Sequence, residues 1–161
     1  MATELQYKIF KDLYEEENAR YAQLDNKSKL YVTLVTFYLG AIAFKFKDVI
    51  EFTGASVFTK WLYLVIAVML VAALLFTIVA TRIRVFEGIC DPEKVIGEFG
   101  EEPPPDVDFL DDRIVDLAVA TNRNSGQNDR IASNLEIASV LIFAAGVSQL
   151  VLFLAYLLGN R

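Results

Sequence analysis

The sequence predicts an all-α membrane protein with three transmembrane helices, of which the first and third have long amphipathic cytoplasmic extensions. The chain of 161 residues is 55% hydrophobic and has a mean hydropathy of +0.39, both high for a soluble domain. Its hydrophobic residues are gathered into runs. Residues 61–80 and 137–160 carry no charge over 20 and 24 residues, which is long enough for a helix that crosses a bilayer.

The first hydrophobic segment is marginal as a span. Its uncharged part, residues 30–44, has 15 residues. At about 1.5 Å per residue this covers roughly 22 Å of a hydrocarbon core that is ~30 Å thick. Lys45 and Lys47 follow it and can extend toward lipid headgroups, which lengthens the usable stretch. We expect a third span here, with a re-entrant or interfacial first helix as the alternative.

The expected organisation is one membrane domain over residues 1–161. Leu5, Ile9, Leu13 and Leu24 recur at helical spacing in a segment without Pro or Gly, so the first helix should run unbroken into the first span for about 40 residues. The expected segments are a cytoplasmic amphipathic helix at 1–29, spans at 30–46, 61–81 and 136–158, an outer loop at 47–60, an acidic cytoplasmic loop at 82–107 and a cytoplasmic helix at 108–135.

Positive charges near the spans predict a cytoplasmic N-terminus. With that orientation, eight Lys or Arg residues flank the spans inside and four flank them outside, as the positive-inside rule favours. The inner set is Arg20, Lys27, Lys29, Arg82, Arg84, Lys94, Arg123 and Arg130, and the outer set is Lys45, Lys47, Lys60 and Arg161.

The segment 87–112 is strongly acidic, and it is expected to be mostly irregular. It has ten acidic residues against one base, Lys94, and the three prolines at 103–105 interrupt any helix. After the prolines, Asp106 or Asp108 is a suitable N-cap for the next helix. Gly126 weakens that helix by about 1 kcal/mol relative to Ala, which favours a kink or short break there. If the loop surrounds the mouth of a pore, its charge favours cations.

The apolar stripe of the helix at 108–135 is polar in its middle, and the first span also has a face of small and hydroxyl residues. One alternative for the polar middle is that its side chains face water. The alternative for the small residues of the first span is that they pack within one subunit. We expect instead that polar residues on so few helices meet in a homo-oligomeric bundle, where they line a pore or bond between subunits. The stripe is Leu110, Ile114, Leu117, Thr121, Asn124, Asn128, Ile131 and Leu135, and the candidate pore-lining residues are Thr33, Thr36, Gly40, Gln149, Thr121, Asn124 and Asn128.

The composition argues against a catalytic or metal-binding chain. Histidine is absent and Cys90 is the single cysteine, so neither a metal-ligand cluster nor an internal disulfide is expected. A nucleophile motif and a Gly-rich phosphate loop are also lacking. We therefore expect no catalytic residue, no metal and no cofactor, and a protein that is not an enzyme.

Two motifs resemble those of a known family. The turn Leu24-Asp25-Asn26-Lys27-Ser28 before the first span is similar to an "LDxKA" pattern, and an Asn-rich stretch precedes the last span. Together with the order of the helices, which covers most of the chain, they resemble the small helical membrane effectors of bacterial antiphage defence, the SLATT and PycTM type. Asn134 and Glu136 stand where that family commonly has a basic residue. The Asn-rich stretch consists of Asn122, Asn124, Asn128 and Asn134.

The resemblance implies a pore-forming effector in the bacterial inner membrane. Such proteins assemble from several copies and respond to a cyclic nucleotide or oligonucleotide made by a partner nucleotidyltransferase or cyclase, which leads to growth arrest or death. Alternative functions are a phage-type holin and a membrane anchor or scaffold. Arginines near the membrane most often serve only topology and headgroup binding, but they are also the available contacts for an anionic nucleotide. They are Arg82, Arg84, Arg113, Arg123 and Arg130.

Overall fold

Three helices make up the part of the chain that the structure describes. A computed structural model describes residues 3–51, 57–82 and 106–159, and all of them except Thr3 are helical. The helices are α1 (Glu4–Glu51, 48 residues), α2 (Val57–Arg82, 26 residues) and α3 (Asp106–Gly159, 54 residues). These ranges contain no strand, so the all-α class is confirmed for them.

The helix ends differ from those expected. Since α1 continues to Glu51 and α2 begins at Val57, most of the expected outer loop is helical, and residues 52–56 lie outside the described residues. The acidic loop was expected at 82–107, but α3 begins at Asp106, so residues 106 and 107 already belong to the helix. Residues 83–105 of that loop are outside the described part. The expected break at Gly126 is wrong, because α3 passes through it without interruption.

Two helices are long and apolar enough to cross a membrane. They are α2 and the stretch Phe109–Leu154 of α3. Within their most apolar windows only 28% and 11% of residues are buried inside the chain. A core helix of a soluble protein is mostly buried, so these two differ from that class. Among the described residues, the hydrophobic part of α1 is not a third such candidate.

The described helices form two compact units. The first unit contains residues 3–24 of α1 and 106–130 of α3, and its core is Tyr14, Leu117 and Ala120, against which Tyr7 and Phe10 pack. The second unit contains the rest of α1, all of α2 and residues 131–159 of α3. Its core is Val35, Ile42, Tyr63, Ile66, Leu70, Ala73, Ala138 and Ala145.

Buried side chains follow a seven-residue repeat on each helix. We call this buried face the seam of the helix. On α1 it contains Tyr14, Ser28, Val35 and Ile42, whose numbers differ by multiples of seven. Alternating steps of three and four are the pattern of helices that pack side by side like a coiled coil. The α2 seam is Tyr63, Ile66, Leu70, Ala73, Thr77 and Ala80, and the α3 seam includes Leu117, Asn124, Asn128, Ile131, Leu135, Ala138 and Ala145.

The apolar stripe of the first part of α1 does not make the contact with α3. Leu5, Ile9 and Leu13 are exposed, whereas Tyr7, Phe10 and Tyr14 make the contact with α3. The aromatic positions continue the seven-residue repeat of Ser28, and the leucine stripe, with steps of four, does not. Aromatic rings also bury more apolar area per residue, which favours their side of the helix.

Candidate functional site

The polar stretch of α3 lies on its seam within the first unit. Asn124 and Asn128 are fully buried at 0% exposure, and Thr121 is half-buried. The interpretation that these side chains face water is therefore wrong for the two asparagines. Their burial follows from their spacing, because positions 121, 124 and 128 continue the steps of three and four set by Leu117 and Ile131.

Asn128 is held by the first helix. Its Nδ2 donates to the backbone carbonyl of Glu17 at 3.0 Å and to Glu17 Oε2 at 2.6 Å. Arg20 lies beside this contact, with Nη1 3.6 Å from Glu17 Oε1, and its Nη2 donates to Asp129 Oδ1 at 2.7 Å. That hydrogen bond raises the pKa of the Arg20 guanidinium above its ordinary value. The four side chains form a polar network between α1 and α3.

Two buried atoms of the polar stretch have no hydrogen-bond partner within the described part of the chain. They are Asn128 Oδ1 and Thr121 Oγ1. A buried polar atom without a partner costs about 1–3 kcal/mol. In the single chain, however, Asn128 lies at the contact between α1 and α3, and Thr121 is half-buried. The structure therefore gives no support for Thr121, Asn124 and Asn128 as pore-lining residues.

Replacing Asn128 by Ala should destabilise the first unit. The change removes both hydrogen bonds to Glu17 and leaves its half-buried carboxylate with fewer partners, which costs about 1–3 kcal/mol. Thermal unfolding of the protein in detergent, followed by circular dichroism, measures the loss. Asn122→Ala is the matched control, because Asn122 is exposed on the same helix. Equal melting of the two variants would contradict a stabilising role for the contact.

The outer face of α1 carries the other predicted residues. Thr33, Thr36 and Gly40 are all exposed and share one side of the helix. We call them the hydroxyl face. Thr33 Oγ1 donates to the backbone carbonyl of Lys29 at 3.0 Å, which is local to the helix. A Cβ added at Gly40 would meet nothing within 4 Å. With Val32, Phe37 and Ala41 these residues line an open groove of about 650 Å³.

Gln149 lies in the second unit and continues the α3 seam, four residues after Ala145. It is half-buried, and its Oε1 atom is buried with no hydrogen-bond partner in the described part of the chain. It therefore faces the packing of its own unit and does not share the exposure of the hydroxyl face. The structure brings together Thr33, Thr36 and Gly40, but not Gln149 with them.

Three of the five arginines predicted as nucleotide contacts, Arg113, Arg123 and Arg130, lie on α3 within the first unit. Arg113 is largely buried, forms an ion pair with Asp116 at 3.1 Å and stacks near the ring of Phe109. Arg123 and Arg130 are exposed and, seven residues apart, share one face of α3. The remaining two predicted cations are Arg82, which ends α2 and is exposed, and Arg84, which lies outside the described residues.

No protein-family model, curated protein or solved structure matches the chain. The described residues contain no group of three or more His, Cys, Asp or Glu side chains that could hold a metal ion.

The Leu24-to-Ser28 motif is an ordinary stretch of α1. In it, Asp25 pairs with Lys29 at 2.5 Å and Ser28 Oγ donates to the Asp25 carbonyl at 2.8 Å.

Three residues of the polar network were missing from the sequence-based candidates. They are Glu17, Arg20 and Asp129. A signal for Glu17 was present, because it stands seven residues before Leu24 and three after Tyr14, on the same repeat as the aromatic residues. Tyr63 was also missed as a contact residue. Its hydroxyl donates to the backbone carbonyl of Ile42 at 2.5 Å and links α1 to α2.

Proposed function

We propose that this protein is a pore-forming membrane effector that assembles from several copies. It spans the bacterial inner membrane three times, with its N-terminus in the cytoplasm, and about four or more subunits enclose the pore. The observation that carries the proposal is the hydroxyl face of α1. Thr33, Thr36 and Gly40 point away from the packing of their own chain, inside a segment that we place in the membrane.

The apolar surface of α2 and α3 supports a membrane location. Phe143 and Val140 of α3 and Val68 of α2 are 74%, 62% and 60% exposed. Such a density of exposed hydrophobic residues is unfavourable in water and favourable in lipid. The scarcity of charges within these stretches is consistent with the same location.

The packing of α1 supports a third span. Val35 and Ile42 pack with Tyr63 and Ile66, so the short first segment lies beside a helix of full membrane length. In addition, α1 stays helical beyond the uncharged run. Residues 30–47 cover about 27 Å at 1.5 Å per residue, close to the ~30 Å of the hydrocarbon core. Lys45 and Lys47 then stand where they reach the headgroups.

A hydroxyl-bearing, glycine-containing face gains little from lipid contact. In membranes such faces favour close contact with another helix, or they line a water-filled cavity. We assign Thr33, Thr36 and Gly40 to the lumen or to the subunit contact beside it. Asn124, Asn128, Thr121 and Gln149 are left out of this assignment, because their own chain buries the first two and partly covers the other two.

We further propose that an anionic nucleotide made by a partner nucleotidyltransferase or cyclase controls the pore. The resemblance of the sequence motifs to the SLATT and PycTM type supports this signal. Arg123 and Arg130 are the favoured contacts, since both are exposed and lie about 10 Å apart along one helix face. Two guanidinium groups at this spacing suit a ligand with more than one phosphate.

Reconstitution tests the proposal directly. The full chain, purified in detergent, should give a discrete mass of about four or more subunits by mass photometry. In vesicles of phosphatidylethanolamine and phosphatidylglycerol it should release a trapped small dye, and its expression in bacteria should collapse the membrane potential. A monomer at all concentrations, or an assembly that releases no dye with or without added cyclic nucleotides, would overturn the pore.

A further inference from the structure

One contact between α1 and α2 fixes which of their residues lie at the same height along the helix axes, which we call their level. Tyr63 Oη donates to the backbone carbonyl of Ile42, and both residues belong to the core of the second unit. Only residues 52–56 separate the two helices in the chain, as in an antiparallel helix hairpin. Each step forward on α1 from Ile42 therefore matches one step back on α2 from Tyr63.

Aromatic and cationic side chains occupy successive levels toward the end of α1 and the beginning of α2. Two steps beyond the contact, Phe44 lies level with Trp61. Their side chains are 80% and 63% exposed. One step farther, Lys45 lies level with Lys60, and Lys45 Nζ is 5.5 Å from the centre of the Phe44 ring. From the apolar runs outward, the hairpin therefore presents first aromatic rings and then ammonium groups.

The acidic residues of this end stand farther out than the first lysines. Lys47 is exposed and follows Lys45 by two residues. Asp48 and Glu51 come next on α1, about 4.5 and 9 Å beyond Lys45 at 1.5 Å per residue. Between the two residues of the contact, the sequence has one net positive charge, from three lysines and these two acids. The positive charge is thus concentrated where the apolar runs end.

We propose that Lys45 and Lys60 bind the phosphates of acidic phospholipids at the membrane boundary, and that Lys47 adds to the attraction. This inference rests on the membrane location in the proposed function and adds a preferred class of lipid to it. Exposed aromatic rings favour the zone between hydrocarbon and headgroups, and lysines at the end of a span extend toward the phosphates. A negative membrane surface attracts each lysine close to it, and the more distant acids weaken this attraction without reversing it.

The fluorescence of Trp61 tests the lipid preference, because Trp61 is the single tryptophan of the chain and lies one level from the two lysines. The full chain is reconstituted in vesicles of equal parts phosphatidylglycerol and phosphatidylcholine. In each preparation one of the two lipids carries brominated acyl chains, which quench tryptophan on contact. Quenching by brominated phosphatidylglycerol should be the stronger, with about a three- to fivefold preference for the acidic lipid. Equal quenching by the two lipids would overturn the proposal.

Charge variants identify the residues that select the lipid. Lys45→Gln combined with Lys60→Gln should lower the preference to less than about twofold. Lys27→Gln combined with Lys29→Gln is the matched control. Both of these lysines are exposed on α1, and they precede its uncharged run whereas Lys45 follows it, so the same loss of charge there should leave the quenching ratio at Trp61 unchanged. An undiminished preference in the first variant would refute the role of the two lysines.

Two further arms separate this site from the proposed function. Raising the salt to about 1 M should weaken the preference, because it screens the attraction between the lysines and the phosphates. Loss of the preference with quenching still present refutes only the lipid site when it occurs in the unmodified chain at low salt. Absence of quenching by both lipids would place Trp61 outside the bilayer and would refute the proposed membrane location as well.

Discussion

Expression of the Thr36→Leu variant should no longer arrest growth. Thr36 is exposed at the centre of the hydroxyl face, so the larger apolar side chain leaves the packing of the single chain unchanged. In a symmetric assembly every subunit contributes the same leucine, and an apolar constriction excludes water from a narrow pore. We expect roughly 100-fold more surviving colonies after induction than with the unmodified chain, a large effect because dewetting blocks all conduction.

Val68→Leu on α2 is the matched control. Val68 is exposed and apolar, and the incoming side chain is the same, so growth arrest should persist. Both variants should be present in the membrane fraction in equal amounts and should show the mass of the unmodified assembly. Growth arrest that survives Thr36→Leu, with assembly intact, would point to general membrane disruption and remove the hydroxyl face from the pore.

The assembled pore should prefer cations over anions. The segment 87–112 contributes nine net negative charges per subunit, from ten acids and Lys94. Around a symmetric mouth this charge concentrates cations within the screening distance of about 8 Å at physiological salt. Neutralising Glu101, Glu102, Asp111 and Asp112 together should move the reversal potential toward zero in planar bilayers under a salt gradient.

Two arms separate selectivity from assembly in this experiment. Asp111 and Asp112 belong to α3, so their replacement can also change the packing of that helix. Replacing Glu101 and Glu102 alone leaves α3 unchanged and should give a smaller shift in the same direction. Raising the salt to about 1 M should weaken the preference as the screening length falls to roughly 3 Å. An anion-selective or unselective current in the unmodified protein would exclude the acidic segment from the mechanism.

The sequence predicted the helices better than it predicted their packed faces. The three prolines at 103–105 indicated where the third helix could begin, and long uncharged runs marked α2 and the end of α3. The stripe from Leu110 to Leu135 was also predicted, because only one face of this helix combines steps of three and four residues with mostly apolar side chains. On α1 both the leucines and the aromatic residues are spaced as one helix face. Only the position of α3 shows that Tyr14 is packed and that Leu13 is exposed.

The polar contacts could not be predicted from the periodicity of the sequence. Asn128 and Glu17 are 111 residues apart in the chain, and nothing local to either residue indicates the other. An asparagine on a helix is usually solvated, so its burial depends on a partner that only the fold supplies. The exposure of Thr36 could not be predicted from the sequence for a related reason. Small hydroxyl residues suit a helix contact within the chain as well as an outer face.

The seven-residue repeat of the seams constrains how the lengths of these helices can change. In the second unit, Ser28, Val35 and Ile42 stay on one side of α1 because an underwound helix returns to the same orientation after seven residues. Inserting one residue between Ser28 and Val35 would turn everything after it by about 100° and carry Ile42 away from Tyr63. Relatives of this chain should therefore gain or lose residues here in whole sevens. An alignment in which single-residue insertions are common between these positions would contradict that rule.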